Sequence, residues 1–478
     1  MIPSILANLD LAGPVQGPQN LKFGGGVSDS VFNPAVLAIV VVAGLLVFIC
    51  QRKKAIIPFF FASLLVPTDQ VVVLGGAHFP MLRVLVLFAI VWILKEKASS
   101  NRPLFSGGMN KIDIAVILLT VFVAINSVLL FQESGAVINQ LGNLFTVFGV
   151  YFFLRFLIRE EEDVVRAIRT LAYVAACVAM IMTYEIVTKH NPYALLGGAR
   201  ASAYAHLIPR GERVRAQAGF AHSLLAGTFG AVLMPLFVAL WWKSKEHRRI
   251  AGLGVASATV ITLAANSSTP ILAYAAGVLA LCLWPIRGWM RVIRWGVVMT
   301  IVFLQVVLKN PVWHLIARID ISGGSSGYHR YMLIDQCIRH FWDWWLIGVK
   351  DTSVWGWDMW DTANQYVALC DGSGLLPFVL FIAVIVYAFK YLGKARRRAK
   401  KDRATALFMW ALAASLFANV IAFFGISYYD QTIVAWYSLL AMISAAAASQ
   451  KSNSTDARTR VPADEISPVL EREEQMVQ

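Results

Sequence analysis

The sequence predicts an all-α polytopic membrane protein of roughly twelve or thirteen transmembrane helices, with one large outer loop that carries an amphipathic helix. Three observations lead there. Of the 478 residues, 58% are hydrophobic and only 15% are charged, and the mean hydropathy of +0.63 exceeds what a water-soluble core can bury. Apolar runs recur at lengths that cross about 30 Å of hydrocarbon. Lys and Arg collect at every second boundary between those runs, the pattern of short cytoplasmic loops.

The runs fall at 33–50, 55–74, 80–95, 112–131, 137–157, 164–186, 218–242, 250–265, 270–286, 295–308, 374–393, 404–426 and 431–448. Residues 1–32 form an N-terminal segment whose start, MIPSILANLDLAGPVQGPQN, lacks the basic opening and long apolar stretch of a cleavable signal, so the first span serves as the targeting signal. The transmembrane domain then extends over 33–448, with outer loops at 187–217 and 309–373. The polar, aromatic-free stretch 449–478 reads as a disordered cytoplasmic tail.

Orientation follows from the clusters QRKK (51–54), KEKASSNR (95–102), RFLIREEEDVVRAIR (155–169), KSKEHRR (243–249), RGWMRVIR (287–294) and KYLGKARRRAKKDR (390–403). With Lys111 and the tail they hold 30 of the 42 Lys and Arg, all on one side. The net charge of +14 therefore anchors the chain against anionic membrane lipids and does not point to nucleic acid. No P-loop, GxGxxG, metal-ligand spacing or solenoid repeat occurs, so neither a metal nor a cofactor is implied. Of the five cysteines, Cys50, Cys177 and Cys282 lie in or near spans. Cys337 and Cys370 share the larger outer loop, where a disulfide can persist in an oxidising compartment.

Both outer loops are basic. Lys189, Arg200, Arg210, Arg213 and Arg215 fall in the first, and Lys309, Arg318, Arg330, Arg339 and Lys350 in the second. Two readings stand: loops long enough to escape the charge rule, or cations set for an anionic substrate, since the Arg fork matches phosphate oxygens. The larger loop also carries Trp313, Trp342, Trp344, Trp345, Trp355, Trp357 and Trp360 of the 15 tryptophans. Tyr331, Ile334, Ile338, Phe341, Trp342 and Trp345 recur at helical spacing, with His329, Gln336, Arg339, His340 and Asp343 opposite them. That describes an amphipathic helix at the membrane surface; its tryptophans fit an interfacial belt or a surface for sugar rings.

Three segments, in order, carry a resemblance: RVRAQAGFAHSLLAGTFGAVLMPL (213–236), GYHRYMLIDQCIRHFWDWWLIGVK (327–350) and TANQYVALCDGSGLLPFVLFI (362–382). Together they resemble the bacterial O-antigen ligase and polymerase family, integral-membrane glycosyltransferases that take glycan from an undecaprenyl-pyrophosphate carrier. The resemblance implies a polyprenyl-pyrophosphate-linked donor, a hydroxyl-bearing glycan, lipid or protein acceptor, and a place in the bacterial inner membrane with the active loops facing the periplasm. Arg215 and Arg330 match the family's arginines that are thought to hold pyrophosphate. Asn364 and Gly374-Leu375-Leu376 match its last motif, but Ala363 stands where that motif has histidine and Gly372 where it has glutamate.

Transfer from such a carrier needs cations at the departing pyrophosphate and a base for the attacking hydroxyl. Arg215, Arg330 and Arg318 are the candidates for the first role, with Arg83 as an arginine facing an internal cavity or snorkelling to the interface. Asp361 is the candidate base and His329 the second; Asp361 can equally cap the helix beginning near Asn364. Asn364, which does not titrate, is assigned to orienting substrate or loop. Asp358 and Asp361 form an acidic pair that a divalent cation would suit, but the arginines around them already supply positive charge. A transporter or flippase of lipid-linked glycan would bind pyrophosphate without chemistry, although no internal repeat is visible. A lapsed family member acting as an assembly scaffold would fit the missing His and Glu.

Overall fold

The computed structural model describes residues 32–67, 70–74, 77–99, 103–197, 214–318, 327–356, 358–399 and 402–459. Most of the N-terminal segment, Arg200, Arg210 and Arg213 of the first loop, Trp357 and the tail after Thr459 lie outside the described residues.

Each expected apolar run holds one helix. In chain order these are α1 (Pro34–Ile49), α2 (Arg52–Leu65), α3 (Met81–Ser99), α4 (Lys111–Phe131), α5 (Ser134–Leu157), α6 (Glu161–Thr188), α7 (Ser223–Lys243), α8 (Arg248–Ala264), α9 (Ser268–Cys282) and α10 (Met290–Val307). After the large loop come α14 (Leu375–Arg398), α15 (Arg403–Ala422) and α16 (Gln431–Thr459); the loop itself carries α11 (Gly327–Arg339), the short α12 (Phe341–Trp344) and α13 (Gln365–Ser373). Among the described residues eight helices are long and apolar enough to cross a membrane: α4, α5, α6, α7, α10 with its preceding turn, α14, α15 and α16. The chain is a multi-pass membrane protein.

Fewer full-length spans appear than the roughly twelve or thirteen expected, for local reasons. Helices α1 and α9 are apolar but short, and α2 stops at Leu65. The run read as one span over 55–74 breaks after α2, and its second half forms a strand, β1 (Val71–Leu74), paired antiparallel with β2 (Ala77–Pro80). A consecutive β-branched stretch followed by Gly75-Gly76 suits a tight hairpin better than a helix. Among the described residues the architecture is therefore helical with one two-stranded antiparallel pair. At the far end α16 continues as helix to Thr459, past Ser449, where the polar composition predicted order to stop.

Ion pairs join the basic boundaries at 51–54, 155–169 and 243–249 at one end of the bundle. The Nη1 of Arg52 reaches Asp163 at 2.7 Å, Lys243 pairs with Glu161, and Gln450 donates to the same glutamate at 3.0 Å. Asp113 and Arg155 form a fork-shaped pair, Nε to Oδ1 at 2.9 Å and Nη2 to Oδ2 at 3.1 Å, and both side chains are completely buried. Tyr151 donates to the same carboxylate at 2.6 Å. Arg155, counted above as a loop charge, is thus sealed inside the bundle by its partners. Asn110 caps α4, and Asp113 closes a capping box with it.

The opposite end is stitched by neutral groups. Gln431, at the start of α16, donates to Val66 and Gly219 carbonyls at 3.1 and 2.9 Å, and Tyr193 donates to the Leu65 carbonyl at 2.7 Å. This end carries the large loop.

Candidate functional site

Residues of the large loop build a cap with a small core of its own, in which Leu333, Cys337, Trp344, Trp355, Met359, Val367 and Cys370 are buried together. The loop's tryptophans divide accordingly. Trp344 donates to the Cys337 carbonyl at 2.6 Å, Trp355 stacks on His340 at 5.0 Å, and Trp313 donates to Asp335 at 3.2 Å. Trp342 and Trp345 stay 77% and 41% exposed.

The expected continuous helix through 331–345 is broken after Arg339, and α12 follows as a separate turn. The inner face of α11 is made by Arg330, Leu333 and Cys337, and Ile334 and Phe341 of the apolar stripe pack against the same core. Ile338, Trp342 and Trp345 of that stripe face outward.

The cap is fixed to the bundle at two glycines. Gly348 and Gly374 have φ of 96° and 88°, and a Cβ on either would meet backbone at 2.5 or 2.6 Å. Only glycine allows both the left-handed backbone and this close crossing. Next to them, Asn126 of α4 donates to the Ser373 carbonyl at 2.6 Å. Gly374, matched above to a family motif, therefore has a steric reason of its own. Gly372, where the family pattern has glutamate, is exposed, with no atom within 4 Å of a Cβ placed on it.

Asn364 is the N-cap of α13. It accepts from Tyr366 N at 3.0 Å and Val367 N at 3.2 Å, donates to the Phe424 carbonyl at 3.3 Å, and is fully buried. Its amide thus orients the loop, and the capping role considered for Asp361 belongs to Asn364. Gln365 continues the seam, donating from its backbone N to the Phe423 carbonyl at 2.8 Å and accepting from Tyr428 N at 2.7 Å. This stitching holds residues 361–364 at the edge of the bundle.

There Asp361 meets α11. The charges acting on its carboxyl are those of His329, Asp358 and Arg330. The side chain is exposed, but the protein packed around it raises its pKa above the ordinary carboxylate value. Asp358 raises it further, while His329 and Arg330 pull it down. The sequence expectation was a carboxylate kept ionised by arginine; the net shift runs the other way because loss of hydration outweighs the two cations.

His329 is oriented by its neighbour. Its Nε2 lies 2.9 Å from the Asp358 carbonyl oxygen and 3.8 Å from Asp358 Oδ2. A carbonyl only accepts, so Nε2 carries the hydrogen and Nδ1 is the basic nitrogen of the neutral ring. Asp358 itself holds a left-handed backbone with φ of 61°, which Asp tolerates better than most residues. From the sequence, Asp358 reads only as half of an acidic pair with Asp361. Among the described residues no group of three or more His, Cys, Asp or Glu converges on a metal position.

The arginines distribute differently. Arg330 is 8% exposed on the inner face of α11. Arg318 ends the 3-10 turn Val312–Arg318 and is exposed. That turn packs antiparallel to α11, because Trp313 meets Asp335 while His314 meets Tyr331 one turn earlier, so it leads Arg318 toward the Gly327 end. Arg215 opens a segment threaded into the same end of the bundle. Ala216 N donates to the Ala264 carbonyl at 3.1 Å, Gln217 N to Glu185 Oε2 at 2.7 Å, and Asn191 to the Ala218 carbonyl at 3.0 Å. Glu185, fully buried, was not singled out from sequence; an acidic residue near the end of an apolar run was the available signal. Arg83 lies between α3 and α5, donating to Thr146 at 3.1 Å, with its guanidinium over Gly142.

The site thus brings His329, Arg330, Asp358 and Asp361 together and places Arg215, Arg318 and Arg83 elsewhere at that end. No protein-family model matches the chain, and no curated protein matches it.

Proposed function

We propose that the chain is a membrane glycosyltransferase of the O-antigen ligase or polymerase type, moving glycan from an undecaprenyl-pyrophosphate carrier to a hydroxyl acceptor. The observation that carries this reading is a cation and a base brought to one place: Arg330 and His329 beside Asp361, whose raised pKa brings it closer to the working pH of a general base. In the reaction a glycosidic C–O bond forms as the bond from the sugar to pyrophosphate breaks. Asp361 takes the acceptor's proton, and Arg330 stabilises the charge that develops on the departing pyrophosphate. Arg215 and Arg318, at the same end of the bundle, serve the rest of the carrier's phosphates. The acceptor is a glycan, a lipid or a protein. In this reading the membrane is the bacterial inner membrane, and loops 187–217 and 309–373 face the periplasm.

A second reading is favoured by one observation. Ala363 and Gly372 leave two positions of the resembled motif without a reactive group, as in a lapsed relative that serves as an assembly scaffold. Deleting the gene separates the two when combined with return of the Asp361→Asn chain. A transferase predicts that lipid-linked oligosaccharide accumulates in the deletion and persists with that variant; full restoration by Asp361→Asn supports the scaffold and rejects the transferase.

A further inference from the structure

Cys337 of α11 and Cys370 of α13 meet in the core of the cap, each 5% exposed and packed among Leu333, Trp344, Trp355, Met359 and Val367. Both are free thiols, buried in one cluster on two helices that pack against each other. Cys50, Cys177 and Cys282 sit on or beside α1, α6 and α9, away from this loop. We propose that Cys337 and Cys370 join as a disulfide in the working protein, a covalent clasp tying the helix of His329 and Arg330 to the helix that follows Asp361. The ring it closes contains Asp358, Asp361 and Asn364, so the bond would hold the segment 358–364 and α11 at one spacing.

The chemistry balances by thiol–disulfide exchange with an external disulfide, such as a dithiol oxidase or oxidised glutathione. One cysteine thiolate attacks that disulfide and releases one thiol; the second thiolate displaces the other, forming the Cys337–Cys370 bond. Two electrons and two protons pass from this chain to the external disulfide, which ends as two thiols. The neighbouring Cys337, and then burial, raise the Cys370 thiol well above its ordinary value, so little thiolate exists in the closed cap. Exchange therefore belongs to the folding chain, before the core closes, and the finished bond is shielded from reductant. The proposal uses the orientation above, with the loop in an oxidising compartment, but not the glycosyltransferase reading.

The full chain tests it. Membranes prepared without reductant are acid-quenched, unfolded in detergent and treated with a bulky maleimide. The clasp predicts that three of the five cysteines take the tag and that all five do so after reduction, with one cross-linked peptide joining 337 to 370 by mass spectrometry. Cys337→Ser should tag four in both conditions. Five tags without reductant, or a linked pair other than Cys337 and Cys370, overturns the proposal. Transfer by the reduced protein is read separately, so its presence or absence bears on the enzyme reading alone.

Discussion

His329 and Asp358 are joined by a 2.9 Å hydrogen bond from the imidazole Nε2 to the backbone carbonyl, and the residue that supplies this carbonyl sits at φ of 61°. The orientation of the ring therefore depends on a left-handed backbone position. Asp358→Gly should keep that conformation and leave transfer within a few-fold of the parent. Asp358→Val places a β-branched residue in a region costing roughly 1–2 kcal/mol and should disturb both the ring and the neighbouring Asp361. Steady-state transfer assays compare the two; equal activity would show that the geometry at 358 does not matter.

Arg330→Ala should lower transfer about 10²- to 10³-fold, as loss of a preorganised group at developing charge does. Arg330→Lys should recover only part, because an ammonium does not reproduce the bidentate fork. Arg330 is buried, so detergent-resistant folding of each variant is checked by size-exclusion chromatography. Arg215→Ala should fall in the same range. Near-normal transfer by both alanine variants would remove the pyrophosphate clamp.

Stability at the other end rests on Arg155 and Asp113. Arg155→Ala leaves a buried carboxylate without its counter-charge and should cost about 3–5 kcal/mol. Combining Arg155→Met with Asp113→Asn, which removes both charges, should recover part of that loss. Thermal unfolding in detergent reads the difference, and a single variant as stable as the parent would mean that the pair contributes little.

How much of this was legible in the sequence depends on the kind of signal. Long apolar runs and alternating basic boundaries located the helices, because length and charge are local properties. The hairpin at 71–80 was missed because hydropathy alone does not separate a strand from half a span, although Val71-Val72-Val73 and Gly75-Gly76 carried the cue. Arg155 looked like an ordinary loop cation, since its partner Asp113 lies on another helix. In the site, Arg330, His329 and Asp361 were recognisable as residue types. That His329 would lean on Asp358, and that Asn364 would be used as a cap, are consequences of how 358–364 crosses α11 and the 423–428 turn, and no spacing encodes them.

Asp371 makes a pH prediction. It is 4% exposed, and burial pushes its carboxyl up to about 7 from 3.8, against the pull of backbone N–H groups. The folded state thus holds the proton more tightly than the unfolded one. Its contribution to stability is fully present below the unfolded value and is lost as pH rises through about 7. The melting temperature of the reduced protein should therefore fall as pH rises from about 5 to about 8, and Asp371→Asn should flatten that slope. An unchanged slope in the variant would assign the effect to other groups.

The central claim is that the site at Asp361 performs glycan transfer, and one measurement addresses it directly. Parent and Asp361→Asn proteins, purified to equal folding quality and placed in lipid nanodiscs, are given a polyprenyl-pyrophosphate-linked oligosaccharide and a hydroxyl acceptor. The parent should transfer glycan, with activity falling as pH drops through the raised carboxyl pKa. The variant should retain donor binding but transfer about 10²- to 10⁴-fold more slowly, the range of a lost general base, whereas His329→Gln should lose much less. Equal transfer by parent and Asp361→Asn, or no transfer by the folded parent, would contradict the account.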